Sequence, residues 1–270
     1  MDSFFGLFLF LLSLAVGSFL NVVVYRLNNP DSVPNRKRKD SGIFFLLGGR
    51  SFCDKCRHQL SWSDNIPLIS FIVLKRKCRY CRKPISWQYP LVELATAVWS
   101  IIIYNWVKLK FGINLPVLGY YLFISYCLIA LFVSDLLYQT LPDPVSYLAI
   151  LITGVHQLIN WHLASLLATL GAAAFFLFLH VVTKGKGMAI GDAKLVFLLG
   201  LFLGWPVLAI GLYLAFLTGA VIGVILILAG RAKLGKPIPF GPFLIASAWL
   251  ALFTAKEIIA LYLSGFWLKT

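Results

Sequence analysis

Long apolar runs are the feature that most constrains what this chain can fold into. A helix of about 20 apolar residues crosses a bilayer, because each backbone donor and acceptor is paired within the segment. The sequence therefore predicts an all-α polytopic membrane protein with about eight transmembrane helices. The Ala193 to Trp205 run is short and is followed by Pro206, so seven crossings are the alternative. The predicted runs are Phe4 to Val24, Leu91 to Val107, Pro116 to Leu136, Pro144 to Asn160, Leu163 to Val182, Ala193 to Trp205, Val207 to Leu228 and Phe240 to Ala255.

Composition excludes an ordinary water-soluble domain. Hydrophobic residues make up 60% of the chain and charged residues only 13%, whereas soluble domains are about one quarter charged. So few charges cannot cover the exterior of a soluble protein, and a lipid bilayer is the expected surrounding. The N-terminal run lacks a basic start and a clear cleavage site, so we expect it to be the first membrane helix rather than a secretory signal.

The excess of basic residues predicts the topology. The formal net charge is +14, and 14 of the 24 Lys and Arg residues lie between Arg26 and Lys83. Basic residues favour cytoplasmic loops, so this segment is expected in the cytoplasm, with no nucleic-acid partner. The predicted domains are residues 1–25 (first transmembrane helix), 26–90 (cytoplasmic four-cysteine loop) and 91–270 (multi-helix membrane domain).

Four cysteines in the loop have the spacing of a zinc ribbon. Two CxxC turns are separated by 21 residues, Cys53 with Cys56 and Cys78 with Cys81. This pattern predicts a structural zinc ion bound by four thiolates, and a full set of sulfur ligands leaves no position for catalytic water. Two redox-active pairs are the alternative, although no βαβ pattern surrounds them.

Few carboxylates lie near membrane depth, and each is a functional candidate because ionisable groups are costly there. Asp135 ends the third run and Asp192 begins the sixth, so both are expected at the cytoplasmic face. Two adjacent carboxylates cannot both ionise cheaply, and such a pair can activate water. Asp143 competes with Asp135, but eight helical residues span about 12 Å, so one partner must be Asp192. Asp143 could instead cap the fourth helix, and Glu93 could be a polar contact in the bundle.

Two other classes of function fit some of these features. In a proton-coupled transporter the same aspartates would relay protons. In a membrane adaptor the cysteine loop would bind a partner, and the aspartates would be structural.

Five motifs together resemble the prepilin peptidase family over most of the chain. They include GSFLNVVVYRL, the whole cysteine block from Cys53 to Glu93, DLLYQTLPD, GMAIGDAKL and PFGPFL, in the family's order and spacing. The chain departs from the family at Ala189, where the aspartate motif usually has a glycine, and at Asp54, where a proline is common. Both departures concern substrate fit and leave the aspartates and cysteines in place.

The resemblance implies a function and its site residues. Asp135 and Asp192 would be the catalytic pair of an aspartic endopeptidase. The enzyme would cleave type IV prepilin-like precursors on the cytoplasmic side of the bacterial inner membrane, after the glycine that ends a short basic leader. Many members also methylate the new amino terminus with S-adenosylmethionine, and the cysteines of this chain are those of the bifunctional members.

Overall fold

The computed structural model describes residues 2–30, 50–185, 187–230 and 239–267, and this part of the chain is mostly helical. Its only β pairings are two isolated bridges in the cysteine loop. The predicted all-α class is confirmed. Residues 31–49, which hold most of the turn-rich start of the loop, lie outside the described residues. The helices are α1 (Asp2–Asn28), α2 (Ile69–Val73), α3 (Gln88–Phe111), α4 (Leu115–Tyr138), α5 (Asp143–Ile159), α6 (Leu163–Val182), α7 (Ile190–Leu203), α8 (Val207–Leu228) and α9 (Gly241–Trp267).

Every predicted apolar run coincides with one of the long helices. Five of them, α1, α3, α4, α6 and α8, are long and apolar enough to cross a membrane. Helix α5 has 17 residues and α7 has 14, and the apolar part of α9 covers Gly241–Ala255. The number of crossings thus stays a prediction. Helix α9 also continues past the predicted end of the last run.

The chain divides into two compact units, Met1–Val133 and Ser134–Thr270. In unit 1, helices α1 and α3 cross closely at Gly17, where an added Cβ would lie 2.7 Å from the Glu93 Cα. The Asn21 side chain donates to the Tyr89 carbonyl oxygen (3.2 Å). Two residues of the first motif therefore connect α1 to the start of α3.

Helix α7 is the centre of unit 2 and packs against α5, α6 and α9. Most of its residues between Asp192 and Phe202 are buried, and Lys194 and Phe197 are partly exposed. Gly200 permits a close approach to α6, because a Cβ there would lie 2.7 Å from the Thr169 side chain. The 14 residues give α7 a length of about 21 Å. The short predicted run is thus a central helix.

Candidate metal centre and active site

Two matching turns in the loop carry the four cysteines. In the first turn the Cys53 amide donates to the His58 carbonyl oxygen (3.0 Å), and the Arg57 amide donates to the Cys53 carbonyl oxygen (2.9 Å). In the second, the Cys78 amide donates to the carbonyl oxygen five residues later, and the Arg82 amide to that of Cys78 (both 3.0 Å). Arg57 and Arg82 have φ angles of 61° and 57°, which reverse the chain. The repeated spacing in the sequence is thus a repeated backbone geometry.

The four thiols form one cluster, as the spacing predicts. All four Sγ atoms lie within 4.8 Å of one another, and those of Cys53 and Cys81 are 3.9 Å apart. A tetrahedral metal with bonds of about 2.3 Å to sulfur separates its ligands by about 3.8 Å. The four sulfurs can therefore hold a metal ion.

The electrostatics of the thiols favour a bound cation. Burial alone would raise the pKa of the Cys78 thiol, but hydrogen bonds from the Cys81 and Tyr80 amides and from neighbouring thiols lower it to about 7. Burial and the adjacent thiols raise the pKa of Cys53 to about 12. Without a metal the cluster thus resists full ionisation, whereas a divalent cation stabilises four thiolates together.

An ion pair between the buried Asp64 and the half-exposed Arg79 holds the polypeptide between the two turns. The Asp64 carboxylate accepts hydrogen bonds from Arg79 Nε (2.9 Å) and Ser61 Oγ (2.9 Å). Burial alone would raise the pKa of Asp64, but these hydrogen bonds outweigh it and the pKa is lowered. The segment between the cysteine pairs is therefore fixed to the second turn.

Glu93, which the sequence assigned to a polar contact in the bundle, lies at the start of α3. Its Oε2 accepts a hydrogen bond from the Leu68 amide (2.9 Å). Leu68 has a φ of 60°, and α2 begins at the next residue. The carboxylate thus connects a membrane helix to the loop.

Asp135 lies one turn before the end of α4 and is 6% exposed. The backbone amide of Gly241 interacts with its carboxyl group, although Oδ2 accepts no well-aligned hydrogen bond from the described residues. Gly241, the first residue of α9, lies against this carboxyl group, and a Cβ there would be 2.6 Å from Oδ2. The last helix therefore closes the space around Asp135.

Asp192 is the third residue of α7 and is 7% exposed. Its Oδ2 accepts a hydrogen bond from the amide of Ala189, which immediately precedes the helix (3.0 Å). A carboxylate in the first turn is also stabilised by the unpaired amides of the helix N-terminus. The position of Asp192 is thus fixed mainly by its own helix.

Charge repulsion is expected between the two carboxyl groups. The loop after α4 and the start of α7 meet at Gly191, where a Cβ would lie 3.2 Å from the Leu141 side chain. The segment that follows Asp135 therefore contacts the start of the helix that carries Asp192, and the catalytic pairing of the two aspartates stays a prediction.

Asp143 occupies a different position from the one predicted. It is the first residue of α5, whereas Pro142 is the cap. Its Oδ1 atom forms an ion pair with Lys194 Nζ (2.7 Å). The proline at the second helical position and the acidic residue at the first both suit a helix start, so the predicted role was shifted by one residue.

Two contacts at this site were not predicted. The contact of Gly241 with Asp135 is not predicted by the PFGPFL motif, because the motif does not indicate which residues its glycine touches. His180 was also missed: its Nδ1 lies 2.8 Å from the Met188 carbonyl oxygen and so holds the turn before Asp192. A histidine at the end of an apolar run was the only available signal.

Comparison with known proteins places these features in a family. The model of the bacterial peptidase A24 N-terminal domain matches residues 11–107, and that of the type IV leader peptidase family matches residues 122–224. Relatives named prepilin leader peptidase/N-methyltransferase occur in Aeromonas salmonicida (36% identical, covering 94% of this chain and 92% of the relative) and Pseudomonas aeruginosa (36%, 94% and 91%). One from Legionella pneumophila is 33% identical, with 96% of this chain and 94% of the relative covered. No solved structure matches this chain.

Proposed function

Because the chain belongs to the type IV leader peptidase family, we propose that it cleaves the leaders of type IV prepilin-like precursors and then methylates the new amino terminus. The observation that carries the peptidase proposal is the pair of buried carboxyl groups at Asp135 and Asp192. Two carboxyl groups whose charges repel share a proton, which is the requirement of an aspartic peptidase.

The surroundings of the two aspartates suggest different roles for them. Asp192 is stabilised as a carboxylate by the Ala189 amide and the start of α7, so it is the proposed base. Asp135 has a buried oxygen that accepts no well-aligned hydrogen bond from the described residues, a poorer environment for a negative charge than that of Asp192. Asp135 is therefore the proposed acid.

Hydrolysis then needs only these two groups and water. Asp192 takes a proton from water as the water oxygen attacks the peptide carbonyl carbon, and Asp135 gives its proton to the carbonyl oxygen. When the C–N bond breaks, the leaving amine takes the proton from Asp192, and the carbonyl reforms as Asp135 recovers its own.

The proposed reaction takes place at the cytoplasmic face of the bacterial inner membrane. Asp135 lies near the end of α4 and Asp192 at the start of α7, and the positive-inside rule assigns both ends to the cytoplasm. The hydrophobic helix of the precursor would lie in the bilayer, with its short basic leader beside the aspartates. Cleavage would follow the glycine that ends the leader.

The cysteine cluster is proposed to bind a structural zinc ion. Four sulfur ligands complete a tetrahedral shell, so the metal has no open position for water or substrate. Its role is to fix the loop of unit 1, and hydrolysis does not depend on metal coordination of the substrate.

S-adenosylmethionine is the proposed methyl donor. When bound, it supplies a methyl group that the neutral amine of the new terminus attacks, while the S–C bond breaks, its electron pair stays on sulfur and the amine loses a proton. The protein has to hold the donor beside the amine and exclude water.

A proton-coupled transporter and a zinc-loop adaptor remain the rival functions. Purified protein in detergent should be incubated with a prepilin, and the product mass determined. We expect a shortened product. After S-adenosylmethionine is added, the mass of this product should rise by about 14 Da, because a methyl group replaces one hydrogen. Neither rival function gives a shortened product.

Asp135→Asn and Asp192→Asn test the site. Each should reduce cleavage roughly 10³-fold or more, because each removes a proton-transfer group. Asp143→Asn is the matched control, since it removes only the pair with Lys194 and should retain cleavage. Normal processing by both variants of the proposed pair, in folded protein, would reject the assignment.

A further inference from the structure

A cavity of about 660 Å³ lies within unit 1, between α1, the cysteine loop and the start of α3. Sites for small ligands commonly enclose 300 to 1,000 Å³, roughly, and combine apolar walls with a few polar groups. This cavity has both. The peptidase mechanism makes no use of it, because both aspartates belong to unit 2.

Buried charges of both signs line the cavity. Arg26 is 3% exposed and Glu93 is 7% exposed, and both lie on its wall. Among the described residues, no lysine or arginine forms an ion pair with Glu93. A buried carboxylate without a cation is costly unless a positive group reaches it. The Glu93 side of the cavity is thus suited to a cationic ligand.

Aromatic rings form another part of the wall. The Phe71 and Trp87 rings pack against each other with centroids 5.0 Å apart, and the Arg76 guanidinium lies 4.8 Å from the Trp87 ring centroid. All three residues line the cavity. Ring faces bind planar bases by stacking and attract cations. Trp87 is half exposed, so a ligand can reach it.

We propose that this cavity binds S-adenosylmethionine, an inference that rests on the proposed methyltransferase function. The ligand has an adenine, a carboxylate, and two cations in its ammonium and sulfonium groups. The exposed part of the Trp87 ring suits the adenine, Arg26 suits the carboxylate, and Glu93 suits a cation. The three classes of group on the wall correspond to the three classes on the ligand, which is why the donor fits better than a purely apolar or anionic molecule.

Binding of the donor to the full chain in detergent tests the proposal by calorimetry, without any need for activity. Glu93→Gln keeps an oxygen that can accept the Leu68 hydrogen bond and removes the charge. It should weaken the Kd for S-adenosylmethionine about tenfold or more. Glu257→Gln is the matched control, because Glu257 is the other glutamate of the chain and lies outside unit 1. This variant should bind S-adenosylmethionine with the parent's Kd.

A second pair of variants tests the aromatic wall. Trp87→Leu should weaken the Kd several-fold, consistent with about 1 kcal/mol for a ring contact. Trp62→Leu is the control, since Trp62 belongs to the same loop, is 80% exposed and does not line the cavity. Photocrosslinked donor should map to peptides from residues 50–93.

The outcomes separate this inference from the proposed peptidase. Normal donor binding in both Glu93→Gln and Trp87→Leu, or crosslinking confined to unit 2, would overturn it even if prepilin is cleaved. Loss of leader-peptide binding instead of donor binding in Glu93→Gln would also overturn it. Asp192→Asn should abolish cleavage and retain the parent's Kd for S-adenosylmethionine. If the parent protein binds the donor but cleaves no prepilin, the proposed peptidase fails and the cavity assignment is retained.

Discussion

The cysteine loop and the aspartate site differ in how their geometry is specified. The four cysteines lie within 28 positions of one another on two local turns. The aspartates are 57 positions apart, and neighbouring glycines let their surroundings close around them. Local hydrogen bonds thus determine one site and close packing between helices determines the other. Each site should therefore fail under a different kind of substitution.

Removal of the metal should have the largest effect, and only the loop should unfold. Zinc binding contributes about 10 kcal/mol or more to small four-ligand domains. Cys78→Ser should lose the bound zinc and make residues 50–87 sensitive to protease. The rate of methylation should fall at least as much as the rate of cleavage, with both products identified by their mass.

Cys127→Ser is the matched control for metal removal. Cys127 is buried in α4 and is not part of the cluster, so this variant should retain the metal. If the loop keeps its protease resistance after the metal is chelated, the proposed structural role of the zinc ion is wrong.

Gly241→Ala should have the next largest effect, at the aspartate site. The new Cβ would lie 2.6 Å from Asp135 Oδ2, and the carboxyl group would have to move. A shift of about 1 Å in a catalytic group reduces the rate about 10²-fold, so kcat for prepilin should fall by that factor while zinc content is unchanged. Gly223→Ala has open space around it and should be as active as the parent; equal rates in the two variants would contradict the close contact.

Gly17→Ala extends the packing test to unit 1. A Cβ at Gly17 would lie 2.7 Å from the backbone of Glu93, where relaxation is difficult. Overpacking of this kind costs about 1 to 3 kcal/mol, so thermal unfolding in detergent should shift to lower temperature. Gly6→Ala, on the same helix with open space, should show no such shift, and an equal shift in both would argue against a tight crossing.

Asp64→Asn should have the smallest effect. The lost ion pair with Arg79 is worth about 1 kcal/mol, measured as a change in the stability of the metal-bound loop. Because the pKa of Asp64 is lowered in the folded protein, this contribution is fully present above about pH 4 and is lost as the pH falls through the lower folded pKa. A stability difference between the parent and Asp64→Asn that increases as the pH falls would contradict this prediction.

The sequence predicted the features that depend on local pattern. Apolar length identified every long helix, and the two CxxC turns identified all four members of the cluster, because backbone turns follow from short spacings. The pairing of Asp135 with Asp192 stays a prediction, which rests on the small number of carboxylates at membrane depth.

The sequence did not predict contacts between distant segments. The approach of Gly241 to Asp135, of Gly191 to Leu141 and of Gly17 to α3 depends on how helices cross, which hydrophobic periodicity does not specify. Helix α7 is mostly buried and almost uniformly apolar, so its sequence has no broad polar face that would have indicated its neighbours. Asp143 was shifted by one position because acidic residues suit both the cap and the first turn.

The shortness of α7 has a consequence for the lipid around the enzyme. A helix of about 21 Å is shorter than the hydrocarbon layer of about 30 Å, so its two ends cannot both reach the headgroups of an undeformed bilayer. If α7 crosses the membrane with its Asp192 end recessed, water and headgroups have to reach inward to that end. Such a thinned leaflet would lower the work of drawing a charged leader toward buried carboxyl groups, and would make acyl chain length a determinant of turnover.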